Sequence, residues 1–126
     1  MNDFLEIGSA LYAAVDASST VPVYYGLAPI GSACPFVTIN KQSAVDERTF
    51  TSRIINALYL VKVISDRNWP GEAVALYDGV NALLDGTALA VSGHSALRCE
   101  RVSTIEFRDP GGYWHVGGLY RVEVYE

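Results

Sequence analysis

The chain has 126 residues, enough for one domain with its own core, so we expect it to fold without a disulfide or a metal. Half of its residues are hydrophobic and only 18% are charged, a composition typical of a small protein that buries further surface by association. The net charge of −5 and the nine Lys and Arg residues argue against a protein that grips nucleic acid through its phosphates.

No apolar run reaches the ~18 residues of a membrane span, so no contact with a membrane is expected. The acidic residues Asp3 and Glu6 stand where a signal peptide would carry basic charge. We therefore expect the chain to be made in the cytoplasm.

Three elements are predicted in the first third of the chain. A helix is predicted over Asp3–Asp16, with an apolar stripe of Phe4, Gly8, Leu11, Tyr12 and Val15. A short strand is predicted over Val21–Gly26, and Pro22, which has no N–H to donate to a ladder, places it at a sheet edge or at the start of the strand. After a loop that contains Pro and Gly, a second strand is predicted over Phe36–Gln42.

The polar stretch Ser43–Arg53 follows this strand. It is too long for a tight hairpin and too polar for the core, so we predict a loop. Two interpretations stay open for it, an ordinary mobile loop or a polar arm, Ala44–Arg53, that reaches a neighbouring subunit.

The next two elements form the centre of the predicted fold. Both period-two faces of Ile54–Ser65 are apolar, which predicts a strand inside a sheet with both faces covered. A helix is predicted over Trp69–Asp85, capped by Asn68 or Trp69 and followed by Gly86 at C′. Its predicted stripe consists of Trp69, Ala73, Leu76, Tyr77, Val80, Leu83 and Leu84.

The last third predicts a pair of antiparallel strands, Leu97–Phe107 and Leu119–Tyr125, joined by a hairpin loop over residues 108–118. The first strand is expected to place Leu97, Cys99, Ile105 and Phe107 on one face, and the second to point Tyr120, Val122 and Val124 inward. A further short strand over Ala88–Val91 stays undecided. The aromatic residues of the loop are expected either to pack on the chain's own sheet or to contact another subunit.

No catalytic, cofactor or metal motif is present in the sequence. The two histidines, His94 and His115, do not form a spaced ligand motif with Cys34 and Cys99, which we expect to be free thiols. His115 and Asp109 resemble an acid/base pair, but no nucleophile accompanies them in the sequence. We therefore predict a protein that is not an enzyme and has no cofactor.

Together these elements predict one α+β domain over residues 1–126. It contains a mainly antiparallel sheet of four to five strands with two helices packed on one face.

The order of these elements resembles the tail completion or tail terminator proteins of long-tailed bacteriophages. The residues that carry the resemblance are Val23-Tyr24, Ala28-Pro29-Ile30-Gly31, Pro35-Phe36-Val37, the aromatic β run Ala57 to Val63, Ala73, Gly112 to His115, and Tyr120-Arg121-Val122. Each motif is short, and their shared order over nearly the whole chain supports the comparison.

The resemblance implies a structural virion protein of the tail or neck. Such proteins form a hexameric ring on the last ring of the tail tube, end its growth and provide the joint to the head and neck. The expected partners are other copies of the chain, the tail tube protein and the connector or neck proteins. DNA is expected to pass through the lumen without specific binding, which is consistent with the acidic net charge.

The predicted interface residues come from the polar arm and the hairpin loop. They are Asp46, Glu47, Arg48, Phe50, Arg53, Arg108, Asp109, Tyr113, Trp114 and His115. Two alternatives stay open: another head-completion or neck protein of the same assembly, or a small ligand-binding protein or enzyme with a pocket at Asp66, Arg67, Trp69 and His115.

Overall fold

The computed structural model describes residues 3–17, 20–48, 53–86 and 95–125. The fold is α+β, as predicted. Its elements are α1 (Asp3–Asp16), β1 (Val23–Tyr25), β2 (Phe36–Arg48), β3 (Arg53–Ser65), α2 (Gly71–Leu84), β4 (Ser95–Arg108) and β5 (Trp114–Tyr125). The undecided strand over Ala88–Val91 lies outside the described residues.

The five strands form one mixed sheet in the order β1-β2-β3-β5-β4. β1 runs parallel to β2, and every other neighbouring pair is antiparallel. β1 lies at an edge of the sheet and begins at Val23, directly after Pro22, so both positions that the proline indicated are found. β3 occupies the middle of the sheet, as its apolar sequence predicted.

The two helices pack on one face of the sheet, and the core lies between them and that face. Tyr59 and Tyr120 are register partners at its centre, and both are fully buried. The buried hydrophobic side chains of the two central strands on this face are Ile55, Ala57, Tyr59, Val61, Val63, Val116, Tyr120, Val122 and Val124.

The prediction that both faces of β3 are covered is wrong. On the face away from the helices, Ile54, Leu58, Leu60 and Ile64 are only half-buried. The apolar run that predicted two covered faces therefore leaves one face of the sheet partly open.

The helix α1 has its predicted range, with differences in its apolar stripe. In α1, Leu11 and Val15 are buried as predicted, Ile7 joins them, and Tyr12 is exposed. The side chain of Phe4 lies outside the described residues.

The start of α2 differs from its prediction. Pro70 is the N-cap residue, so Asn68 and Trp69 lie in the loop before the helix. Trp69 is 73% exposed and does not join the stripe. At the other end, Gly86 adopts a φ of 80° just beyond the C-cap Asp85, as predicted, and glycine accepts this backbone conformation without a steric cost.

The predicted loop Ser43–Arg53 is largely strand. β2 continues to Arg48, which pairs with Arg53 at the start of β3, so only residues 49–52 separate the two strands. Polar residues extend this hairpin because a ladder is held by main-chain hydrogen bonds and does not need an apolar face. The hairpin loop predicted over residues 108–118 is also shorter, since β5 begins at Trp114 and only residues 109–113 connect it to β4.

Three register shifts interrupt the outer strands: one lies between Ala96 and Arg98 in β4, and the other two lie at the same level of the sheet. Of these two, one lies between Lys41 and Ser43 in β2, and the other lies between Arg101 and Ser103 in β4. Lys41 and Arg101 are the register partners of the central tyrosines Tyr59 and Tyr120. An extra residue on an outer strand increases the local twist and moves the following side chains to the opposite face.

Candidate interaction surfaces

The predicted interface residues lie at opposite ends of the sheet. We call the end where β2 meets β3 the hairpin end, and the end where β4 meets β5 the turn end. β3 has 13 residues and connects the two ends, which are therefore about 40 Å apart. The sheet thus carries two separate candidate surfaces and not one continuous site.

At the hairpin end the structure places four of the predicted residues. Asp46, Glu47 and Arg48 are the last residues of β2, and Arg53 is the first residue of β3. Phe50 lies outside the described residues. β1 covers β2 only from Val37 to Ile39, so no described strand covers the outer edge of β2 over this hairpin.

At the turn end, Asp109 organises the connection between β4 and β5. Its Oδ1 atom accepts a hydrogen bond from the Tyr113 backbone N–H at 3.0 Å, and its backbone N–H donates to the Tyr113 carbonyl at 2.9 Å. The Gly112 N–H donates to the Asp109 carbonyl at 3.0 Å, with a φ of 91° at Gly112. Because the Tyr113 N–H and then the His115 side chain bond the carboxylate, the pKa of Asp109 is lowered.

His115 lies directly against this turn. Its Nε2 atom is 2.7 Å from Asp109 Oδ2, and its ring stacks on Phe107 with 4.7 Å between centroids. Nε2 therefore donates to the carboxylate, while the buried Nδ1 has no hydrogen-bond partner among the described residues. His115 and Asp109, which the sequence suggested as a pair, are therefore in contact, and their hydrogen bonds stabilise the turn.

A cleft separates this turn from the loop that precedes β2. Residues of both segments and of the open sheet face line it: Ala28, Pro29, Gly31, Ser32, Cys34, Phe36, Ile64, Asp109, Tyr113 and His115. The presence of Cys34 beside His115 was not predicted, because 81 positions separate them in the chain. Burial, followed by the nearby carboxylates of Asp66 and Glu72, raises the pKa of the Cys34 thiol, so this environment disfavours a reactive thiolate.

The pocket proposed for an enzyme is not formed as predicted. Arg67 and Trp69 line a depression with Asn68 and Glu72, whereas His115 lines the cleft described above. In the first depression Arg67 Nε pairs with Glu72 at 3.3 Å, and Glu72 also accepts a hydrogen bond from Ser65 at 3.0 Å. These contacts hold the loop between β3 and α2.

Exposed apolar side chains are concentrated in the loops and strand ends near the turn end. Leu27 and Ile30, in the loop before β2, are 92% and 107% exposed. Trp69, Phe107 and Tyr113 are also exposed at this end. Sequence reasoning missed Leu27 and Ile30, although an apolar pair in a loop rich in Pro and Gly was a signal that no core strand or helix could bury them. Large exposed apolar groups that lie close together mark interaction surfaces.

No group of three or more His, Cys, Asp or Glu residues in the described part of the chain could hold a metal ion. Over the same residues, neither helix has the length and apolar character to cross a membrane. Cys34 and Cys99 are free thiols, as expected.

The small α+β fold carries a candidate interaction surface at each end of its sheet. A family model described as "Tail completion protein gp17" matches residues 8–124, so the chain belongs to this family of structural virion proteins. The resemblance that the sequence suggested is therefore confirmed.

A solved structure has the same fold. A chain from the "Virion of native gene transfer agent (GTA) particle" superposes with a TM-score of 0.89 at 17% identity, over 99% of this chain and 98% of that chain. Comparison with curated proteins gives no significant match.

Proposed function

We propose that the chain closes the bacteriophage tail tube as a ring of six copies, ends tail growth and provides the joint to the neck. The protein has no catalytic role in this proposal and uses no cofactor. It is made in the host cytoplasm and acts in the virion through its interfaces.

The observation that carries this proposal is the separation of the two candidate surfaces in a member of the tail completion family. A joint needs two contact regions that do not compete, and the hairpin end and the turn end lie about 40 Å apart on the same strands. A ring of identical copies also needs two different patches on each subunit, which meet between neighbouring copies.

The charge of the chain supports passage of DNA through such a ring. A net charge of −5 with only nine basic residues gives little attraction for phosphates. On the open sheet face, Arg121 is paired with Glu100 at 3.6 Å, so this basic group is partly neutralised.

The hairpin end can be tested without disturbing the core. Glu47 and Ile54 are register partners, so residues 48–53 can be replaced by Asn-Gly, which closes a two-residue turn between paired strands. We expect the variant to keep the thermal midpoint of the wild type, because no residue of the described core is removed. We expect tails that lack the neck, or heads and tails that remain unjoined, in electron micrographs of particles made with this variant.

A control variant changes an exposed residue on α1 and leaves both ends of the sheet unchanged. Ala13→Ser should give normal joined particles. Normal joined particles with the shortened hairpin would contradict a role for the hairpin end. Absence of the wild-type chain from the head-proximal end of purified tails would contradict the proposed function itself.

A further inference from the structure

The direction of the backbone groups along the outer edge of β2 follows from its register. The Val37 N–H donates to Pro22 and the Ile39 carbonyl accepts from Gly26, so the backbone groups of these two residues point away from β3. Their partners in β3 are Val63 and Val61, and in an antiparallel ladder every second residue behaves alike.

Beyond the register shift the same alternation continues along β3. Ala57 and Ile55 are in phase with Val61 and Val63, and their β2 partners are Ala44 and Asp46. The N–H and C=O groups of Ala44 and Asp46 therefore point outward, where no described strand pairs with them. We call the outward backbone groups of these two residues the β2 edge.

The outer edge of β4 can be assigned in the same way. The register of β3 with β5, and of β5 with β4, shows which β4 residues have backbone N–H and C=O groups that point away from β5. They include Cys99, Arg101, Thr104 and Glu106. Two contacts verify the assignment, since the Cys99 carbonyl accepts from Gly86 at 2.8 Å and the Arg101 N–H donates to Asp85 at 2.9 Å. The end of α2 thus occupies the first half of this edge.

The second half of this outer edge is open. No hydrogen bond between described residues reaches the backbone groups of Thr104 and Glu106, and we call the outward backbone groups of these two residues the β4 edge. The segment from Val102 to Phe107 contains neither Pro nor Lys, and Val102 and Phe107 each expose more than two fifths of their surface. Pro and charged residues, Lys above all, protect open edge strands from pairing with other chains, and Glu106 is the one charged residue of this segment. The open backbone groups and the exposed apolar side chains are therefore available for pairing with another chain.

The strand directions make the two edges complementary. β2, β3, β5 and β4 alternate in direction, so β4 runs opposite to β2. Rotation about a ring axis leaves the direction of a strand along that axis unchanged, so β4 of one copy runs antiparallel to β2 of the next. Across the sheet, Thr104 of the β4 edge is level with Val61 of β3, and Ala44 of the β2 edge is level with Ala57 of β3. The two edges are therefore displaced along the strand direction by four residues, or about 14 Å. Strands that are tilted relative to the ring axis bring such displaced edges together in closed sheets.

We propose that neighbouring copies of this chain join by strand addition, with the β4 edge of one copy pairing with the β2 edge of the next. The sheets of the ring are then continuous from subunit to subunit. This inference rests on the proposed ring and names the contact that closes it.

Proline substitution tests the β4 edge at the backbone. Glu106→Pro removes an outward N–H that β5 does not use, whereas Glu106→Ala keeps it. We expect both variants to be monomeric folded domains with similar thermal midpoints. In particles made with each variant, Glu106→Ala should give normal joined tails, and Glu106→Pro should lower their number at least tenfold.

A second pair of substitutions at the β2 edge keeps the test decisive if Glu106→Pro does not fold. Ala44→Pro removes an outward N–H on the opposite edge, whereas Ala44→Ser keeps it, so these two variants should differ in the same way. If a folded proline variant supports as many joined tails as its matched control at either edge, strand addition is overturned. Because wild-type chain would still occupy the tail end in that case, the outcome is distinct from failure of the proposed function.

Discussion

At the scale of single residues, a hydrogen-bonded pair of tyrosines connects α2 to the sheet. The hydroxyls of Tyr77 and Tyr120 are 2.6 Å apart, and Tyr120 donates to Asn81 Oδ1 at 2.7 Å. Tyr77 is therefore the donor to Tyr120. Burial, reinforced by the Tyr77 hydroxyl, raises the pKa of Tyr120 and keeps this chain of hydrogen bonds neutral.

Gly118 makes room for this pair, and we predict that Gly118→Ala destabilises the protein by about 2 kcal/mol. A Cβ atom at this position would overlap the Tyr77 hydroxyl and lie 3.0 Å from the Ser103 carbonyl. Gly79→Ala is the matched control, because a Cβ at this position in α2 has no atom within 4 Å and should stabilise the helix by about 1 kcal/mol. Urea unfolding measures both, and equal stabilities for the two variants would contradict the packing argument.

Where a residue's position follows from its own backbone chemistry, that position could be predicted from the sequence. The position of Trp69 could not be predicted in this way. Pro22 and Gly86 have restricted or permissive backbones, so their positions at an edge and beyond a helix follow from their own chemistry. Trp69 fits the helical spacing, but the helix begins at Gly71 after the N-cap Pro70, two residues later than predicted. Its large ring therefore remains exposed in the loop.

At the scale of elements, the register shifts explain why β4 alternates poorly. Cys99 pairs with Val122 on the helix face, whereas Ile105 and Phe107 pair with Gly117 and His115 on the open face. The prediction that these three residues share a face is wrong, because the extra residue between Arg101 and Ser103 changes the alternation. A single sequence does not mark such a shift, since it is fixed by contacts between strands distant in the chain.

The turn between β4 and β5 permits a prediction about pH. The lowered pKa of Asp109 means that its stabilisation of the turn is present above its ordinary value of 3.8 and is lost as the pH falls through the lower folded-state pKa. We expect the Tyr113 amide resonance in nuclear magnetic resonance spectra to titrate with a midpoint below 3.8. Asp109→Asn should abolish this titration and keep the hydrogen bond, whereas Asp109→Ala should lose both. A wild-type midpoint at or above 3.8 would refute the assignment.

At the scale of the whole molecule, the order of elements was sufficient to predict the fold and the family, while the surfaces were only partly predictable. The predicted polar arm and hairpin loop lie at opposite ends of the sheet. Their predicted lengths were wrong because paired strands continue into both segments. The apolar loop residues Leu27 and Ile30 were missed although their place in a loop with Pro and Gly was a signal, and the structure shows that both are exposed.

These two loop residues lead to a prediction about assembly. The double variant Leu27→Ser and Ile30→Ser should keep its free energy of unfolding within about 0.5 kcal/mol of the wild type, because both side chains are already in water. It should nevertheless yield fewer joined tails if the turn end binds a partner. Ala13→Ser, an exposed change on α1, is the control and should leave the count of joined tails unchanged. Full assembly by the double variant would exclude this loop from the joint.

The uninterrupted course of β3 between the two ends has a mechanical consequence. A strand is already near its greatest extension, so a pull between partners at the two ends cannot lengthen it. The hydrogen bonds to β2 and β5 lie perpendicular to such a pull and would share the load as a group. A joint built this way would transmit tension through one stiff central strand, and its weakest points would lie at the contacts between chains.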